Sequence, residues 1–409
     1  MIGLTGILFF LGVAYLLSSN RAAIRWRTVV WGLLIQLIFS LVVLRLGFGR
    51  RLWAAGGEAA TQLIAAADEG GRFVFGWLAV DPNPDHFVFA VRVLPIIIFI
   101  SSLFSCLYYL GIMQIVVGGM ARLMTRVMGV SGSESVAVAA NVFVGQTEAP
   151  LVVAPYVPEM TESELMALMT AGMATVSGAV LGGYIALGIQ SDHLLAASFM
   201  AAPASLVIAK IMVPETSSSK TAGRVSFKIE RTSANLIDAL ANGASQGVRL
   251  ALNIAAMLIA FVAMVYLVNG ILAAASRAFG LNDVLGVTPT LQLILGYLLA
   301  PLAFVMGVPW EDSLQVGQLI GVKVVLNEFV AYRDLAALRE TLSPKSQLIA
   351  TYALCGFANF GSIGVQIGGI GGLAPERKWE VARLGMKALL AGSMASFLTA
   401  SLAAIVSPL

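Results

Sequence analysis

The sequence is poor in charge: 25 lysines and arginines with 22 aspartates and glutamates make up only 11% of 409 residues, against about 25% in soluble domains. Beside 58% hydrophobic residues, so few ionised groups exclude a chain folded wholly in water. Cysteine is scarce too, and Cys106 and Cys355, both in apolar runs, exclude a disulfide framework and read as packing residues. The two histidines, His86 and His193, have no metal-ligand spacing. Neither falls beside a polar cluster where a hydrolase would need its base, so an enzyme is not expected. A net charge of +3, dispersed along the chain, gives no footprint for nucleic acid. Before the first apolar run there is no basic segment, and that run is expected to span a membrane rather than to be removed as a signal.

What is present is a succession of apolar runs separated by short gaps. In lipid the backbone must satisfy its own hydrogen bonds, so the expectation is an all-α polytopic membrane protein. Full spans are read at 2–18, 28–47, 87–118, 164–188, 194–213, 247–274, 347–371 and 384–408, eight in all. The stretch 53–80 mixes apolar residues with Glu58, Asp68, Glu69 and Arg72, which suits interfacial amphipathic helices. Two further apolar segments, 131–158 and 294–338, are interrupted by the polar clusters Gly145-Gln146-Thr147-Glu148-Ala149-Pro150 and Asn327-Glu328. Both read as re-entrant hairpins. With an external N-terminus, Arg21, Arg25, Arg27, Arg122, Arg126, Lys220, Arg224, Lys228, Arg231, Arg377, Lys378 and Arg383 fall on the cytoplasmic side; Arg45, Arg50, Arg51, Arg333, Arg339 and Lys345 oppose that bias.

An internal repeat organises the chain. Val127-Met128-Gly129-Val130, followed by an acidic and serine-containing cluster, returns as Val305-Met306-Gly307-Val308 ahead of Glu311, Asp312 and Ser313. Each copy then runs through a hairpin into a helix interrupted near its middle, at Thr175-Val176-Ser177-Gly178 and at Ala358-Asn359-Phe360-Gly361-Ser362. Three spans separate equivalent points, and an odd number inverts the second copy, which is the inverted-repeat plan of secondary transporters. The expected organisation is a scaffold over 1–118, a first transport repeat over 119–213, a cytoplasmic linker over 214–246, a scaffold helix over 247–290 and a second transport repeat over 291–409.

An ionisable group at mid-membrane is costly, about 2.5–3.5 kcal/mol on insertion scales, so Glu148 and Glu328 at the two hairpin tips need a reason. One reason is a cap on each hairpin's second helix. The other is a cavity in which the carboxylates, with Gln146, Thr147, Asn359 and Ser362, offer acceptors to a neutral, donor-rich solute. A phosphate or dicarboxylate would need a cationic clamp, and Lys323 lies more than a turn before Glu328 on another helix face. A passive channel would need a polar stripe along several helices, whereas the polar residues here converge on tips and breaks.

These segments, with Leu326-Asn327-Glu328-Phe329-Val330-Ala331-Tyr332 and Gly356-Phe357-Ala358-Asn359-Phe360-Gly361-Ser362-Ile363-Gly364, resemble the signature segments of the concentrative nucleoside transporter family in its bacterial eight-helix branch. The resemblance covers nearly the whole chain and implies a homotrimer in the bacterial inner membrane, each protomer with a scaffold and a moving transport part. It implies nucleobase contacts from Gln146, Thr147 and Glu148, with Val180 and Phe357 as apolar borders, although Phe357 also suits an ordinary core position. Ribose contacts fall to Glu328, Asn359 and Ser362, while Gly361 stands where the family often has serine. For the coupling ion, Asn141 and Thr175 offer neutral oxygens of the kind a hard cation accepts. By similarity they fall on sodium-site positions, joined by the carbonyls of Val144 and Val176. A packing role for Asn141 and a backbone bond for Thr175 stay open, as does proton coupling through Glu148 or Glu328, or transport of another neutral polar solute. No other cofactor is implied.

Overall fold

The computed structural model describes residues 2–79, 88–223, 233–280 and 286–407. His86, Arg224, Lys228 and Arg231 lie outside the described residues, as does the stretch 224–232 of the expected linker. Among the described residues the elements are helical, with no strand. In chain order they are α1 (Ile2–Leu16), α2 (Trp26–Leu44), α3 (Gly47–Phe75), α4 (Phe89–Arg92), α5 (Leu94–Tyr109), α6 (Ile112–Met128), α7 (Gly132–Asn141), α8 (Ala149–Val152) and α9 (Glu162–Ala174). There follow α10 (Gly178–Ala186), α11 (Ser191–Met212), α12 (Leu236–Ala278), α13 (Leu291–Met306), α14 (Trp310–Val325), α15 (Glu328–Ala337), α16 (Pro344–Leu354), α17 (Phe360–Leu373) and α18 (Lys378–Val406).

Six helical stretches among the described residues are long and apolar enough to cross a membrane, against the eight spans expected. Two of the expected spans are built from shorter helices. The one at 2–18 is the 15-residue α1, only about 22 Å long at about 1.5 Å per residue. The one at 347–371 is the pair α16 and α17, neither long enough alone. The span expected at 87–118 is also divided, because the chain turns through Leu110 and Gly111 between α5 and α6. The segment expected as one hairpin over 294–338 holds three helices, with α13 and α14 meeting at a bend of 117°. Finally α12 begins eleven residues ahead of the expected 247, where the Asn235 side chain accepts a hydrogen bond from Asp238 N at 2.9 Å and caps it. That shortens the linker expected over 214–246.

The repeated Val-Met-Gly-Val has a structural meaning. α6 ends at Met128 and α13 at Met306, and in both the next residue, Gly129 or Gly307, adopts the left-handed backbone (φ 71° and 109°) that stops a helix. A side chain is disfavoured there, so the same dipeptide marks the same corner in both halves. Beyond each corner a new helix starts, α7 under a capping box made by Ser131 and Glu134, and α14 after Pro309.

Two packing regimes separate the helices. The stretch Glu162–Ala186 is 94% buried across its apolar window, whereas the equivalent window of α12 is 11% buried. The first is therefore enclosed by protein and the second presents its length to the surroundings. α12 adheres to α5 through small residues at intervals of four, Ala239, Gly243, Gly247 and Ala251. A Cβ at Gly243 would lie 2.7 Å from Ser102 Cα, and one at Gly247 2.6 Å from Ile98 Cα, so the backbones approach too closely for larger residues. The Ser102 and Ser105 hydroxyls donate across this contact to the Leu240 and Ala239 carbonyls, at 2.6 and 2.7 Å. The amphipathic helix α3 runs from Gly47 to Phe75 and a 3-10 turn continues it over Gly76–Ala79, so the helical stretch starts earlier than the expected 53–80; Gly49, Gly57, Ile64, Ala67 and Gly71 lie on the buried face of α3.

Inside the enclosed body the two interrupted helices touch at their breaks. Phe357 N donates to Thr175 O at 3.2 Å, and Gly178 N donates to Phe143 O at 2.9 Å, which ties the first hairpin to the first break. Gly356, at φ 130°, fits against α9 so closely that a Cβ there would stand 2.7 Å from Ala174 O. Gly356→Ala is expected to destabilise the protein by about 1–3 kcal/mol, since both the backbone conformation and the contact oppose a side chain. Gly364→Ala, where a Cβ meets nothing within 4 Å, is the control and should leave stability unchanged or slightly raised. Thermal unfolding in detergent reads both, and equal melting temperatures for Gly356→Ala and wild type would show that the breaks are not tightly packed.

Candidate functional site

The second break falls at Cys355 to Asn359, three residues ahead of the expected Ala358 to Ser362, because Asn359 is already the N-cap of α17. Its Oδ1 accepts from Ser362 N at 2.9 Å. The same device starts α10 and α15: Ser177 Oγ accepts from Val180 N at 3.3 Å, and Asn327 Oδ1 accepts from Val330 N at 3.0 Å. In each case a polar side chain supplies the acceptor that a helix N-terminus lacks. Thr175, Ser177, Asn327, Glu328, Asn359 and Ser362 are thereby held in buried positions where neither lipid nor bulk water competes.

The tips and the second break form two polar pairs. Gln146 Nε2 donates to Ser362 Oγ at 2.9 Å. Glu328, 4% exposed, accepts from Asn359 Nδ2 at 3.2 Å and from Tyr184 Oη at 2.9 Å. Glu328 sits in the first turn of α15, where the helix dipole favours its charge, so the capping explanation and the acceptor explanation hold at one residue together. Glu148 stands apart from both pairs. It precedes the four-residue α8 and lines a cavity of about 270 Å³ walled by Phe104, Tyr108, Gln114, Phe143 and Ser177. Thr147 packs toward α17, its Cγ2 lying 3.5 Å from where a Cβ at Gly369 would stand. Val180 is buried, and Phe357 is partly buried against the core.

Two polar residues at the site escaped the sequence reading. Tyr184 lies one helical turn beyond Val180 on α10, and Gln366 one turn beyond Ser362 on α17. Both are isolated polar groups on apolar helices at i+4 from a site residue, and that spacing was the available signal. Gln366 Nε2 donates to Gln146 Oε1 at 3.2 Å and to Met169 O at 2.9 Å. Lys323 is fully buried but donates to Ala353 O at 2.9 Å, at the C-terminal end of α16, with its ammonium 5.9 Å from the centre of the Phe397 ring. Its cation is used by a helix terminus, as expected of a residue off the tip.

Asn141 ends α7 and Thr175 caps α9. Asn141 Nδ2 donates to Ala137 O at 3.0 Å, and Thr175 Oγ1 donates to Ala171 O at 2.8 Å, so both make the local bonds that a purely structural role predicts. Those bonds leave oxygen lone pairs unused. Asn141 Oδ1 is buried with no hydrogen-bond partner, an arrangement that leaves a polar atom unsatisfied unless something else meets it. Among the described residues no backbone hydrogen bond outside the helices ends on the carbonyl of Val144 or Val176. These are neutral oxygens, the donor type that a hard cation accepts.

Comparison with known proteins agrees along the chain. Residues 5–78 and 193–404 match the family models for the N-terminus and C-terminus of Na+ dependent nucleoside transporters, and residues 90–191 match one described as nucleoside recognition. The nucleoside permease NupC of Helicobacter pylori is 42% identical over 402 residues, covering 96% of this chain and 94% of that protein. Mouse solute carrier family 28 member 3 is 43% identical over the whole of this chain, which spans 59% of the mouse protein. Among solved structures, CNTnw in an inward-facing substrate-bound state superposes with a TM-score of 0.93 at 42% identity, covering 99% of this chain and 98% of that one.

Proposed function

Since the chain belongs to the Na+ dependent nucleoside transporter family, we propose that it is a symporter that uses sodium to import nucleosides across the bacterial inner membrane. The proposal includes the homotrimer and the arrangement of eight spans with two re-entrant hairpins in inverted repeats. One observation carries it: each hairpin tip is bonded to the start of α17 at the second helix break, Gln146 to Ser362 in its first turn and Glu328 to its N-cap Asn359. A solute bound there would touch both halves of the chain at once. In this reading Gln146, Thr147 and Glu148 meet the base, with Val180 and Phe357 as its apolar border. Glu328, Asn359 and Ser362 meet the ribose, whose hydroxyls donate to the carboxylate. Tyr184 holds that carboxylate in place by donating to its other oxygen. Gly361 puts no hydroxyl beside Asn359, and a Cβ there would lie 3.1 Å from Met257 Cε and 3.2 Å from Asn359 Oδ1, so the neighbours already close over it.

Sodium in this reading is taken by Asn141 Oδ1, Thr175 Oγ1 and the carbonyls of Val144 and Val176. The unpartnered buried oxygen of Asn141 supports that assignment. An ion joining the hairpin to the first break would order the tip that reads the base, which makes ion and nucleoside binding mutually reinforcing.

Two measurements test the proposal. Glu328→Gln replaces a charge-assisted acceptor by an amide, a loss of about 1.5–3 kcal/mol, so uridine binding should weaken roughly ten- to hundredfold. Calorimetric titration reads this directly, and an unchanged dissociation constant would remove Glu328 from the site. Replacing sodium by choline at constant ionic strength should weaken uridine binding in the wild type, and Asn141→Ala combined with Thr175→Ala should flatten that dependence. Equal affinity in both salts, with a strong dependence on pH, would instead assign coupling to protons.

A further inference from the structure

The amide chain behind the first tip has a direction that can be worked out from one fixed point. Met169 O is a backbone carbonyl and only accepts, so the group of Gln366 facing it at 2.9 Å must be Nε2. The same Nε2 faces Gln146 at 3.2 Å, so the Gln146 atom there must be the acceptor Oε1. That leaves Gln146 Nε2 toward Ser362 Oγ, which accepts at 2.9 Å and keeps its own proton free to donate elsewhere. No rotamer choice enters after the first step, although amide orientation is usually the ambiguous feature of glutamine. Asn359 is fixed by equivalent logic, since its Oδ1 is taken by Ser362 N and its Nδ2 must then face Glu328.

We infer that Gln366, through its bond to Met169 O, is a positioning residue that sets which end of the Gln146 amide is presented to the nucleobase and makes the Ser362 hydroxyl a donor to the solute. The inference rests on the reading of Gln146 as a base contact. Gln366 is 1% exposed and is bonded to Gln146 rather than placed to touch the solute itself. Gly172 makes room for the relay: a Cβ there would stand 2.9 Å from both Gln146 Cβ and Gln366 Nε2. Without the Gln366 amide the Gln146 amide is free to turn over, exchanging donor for acceptor at the base.

Uridine and cytidine are the probes, because their bases exchange donor and acceptor along one ring edge while the ribose stays the same. Gln366→Met keeps much of the side-chain volume and removes both bonds; Gln366→Leu is the second variant. Dissociation constants in sodium, which do not depend on how much of a variant folds, are expected to show the uridine-to-cytidine ratio changed about fivefold or more, on the scale of one hydrogen bond. In a Gln146→Met background the same Gln366 substitutions should leave the ratio unmoved, as required of a residue that acts through Gln146. Equal weakening of both nucleosides by the Gln366 substitutions, or a ratio that shifts as much in the Gln146→Met background, would overturn the assignment. So would failure of both variants to yield a binding protein, which would make the amide a packing element. If the wild type bound neither nucleoside, it would be the proposed function that fails, a result separate from all of these.

Discussion

Everything at the site depends on the contact between the two helix breaks, where Phe357 N donates to Thr175 O and Gly356 lies against Ala174 O. A helix interrupted inside an enclosed apolar body exposes backbone donors and acceptors that nothing outside can satisfy, each at a cost of several kcal/mol in hydrocarbon. The chain meets that constraint by letting one break serve another and by capping α10, α15 and α17 with side chains at their starts. Ser177, Asn327 and Asn359 all do this. The consequence is that polar groups collect where the breaks meet, and a site arises from the same groups that make the interruption tolerable.

That arrangement explains why Asn359 serves two ends. Its Oδ1 is committed to the helix and its Nδ2 to Glu328, so the residue transmits the position of α17 to the carboxylate of α15. Tyr184 adds α10 to the same carboxylate. Three helices therefore converge on one buried anion, and moving any of them disturbs the others. Lys323, the buried cation nearest in sequence, donates to Ala353 O and acts on the carboxylate through space rather than through a hydrogen bond. A carboxylate with two neutral donors keeps lone pairs available for a solute, which a direct ion pair would occupy.

Much of this was legible in the sequence because it is local. The polar tips interrupt apolar runs, and the duplicated Val-Met-Gly-Val needs a glycine at each helix stop, so both could be read from residue type alone. The division at Leu110 and Gly111 was hidden, because a glycine inside an apolar run does not announce that it ends a helix. The start of α12 at Leu236 was hidden for the opposite reason: its first turns carry Asp238, Asn242 and Ser245 and read as linker until the Asn235 cap is seen. The bonds that Gln146 makes were not legible, although Ser362 could be placed in the same cavity. Ser362 and Gln366 lie 216 and 220 positions away, and only the packing of α17 against the first tip brings them there.

The polar pairs also bear on selectivity. In the structure Gln146 is bonded to Ser362 and Glu328 to Asn359 and Tyr184, so both pairs are already engaged. A solute that entered would have to replace or share those bonds, and a fragment engaging one pair would leave the other to be disturbed without compensation. Buried polar groups left unpaired are what make such sites reject incomplete ligands. Glu148 faces a separate cavity with the Tyr108 hydroxyl and Gln114 Oε1, both buried without a hydrogen-bond partner. The first tip is thus built with two faces: Gln146 is directed by α17, while Glu148 is turned toward α5. A solute held at that tip would meet an amide whose orientation the protein has fixed and a carboxylate that shares its cavity with two unsatisfied polar groups, and the second is the side on which binding has more to gain.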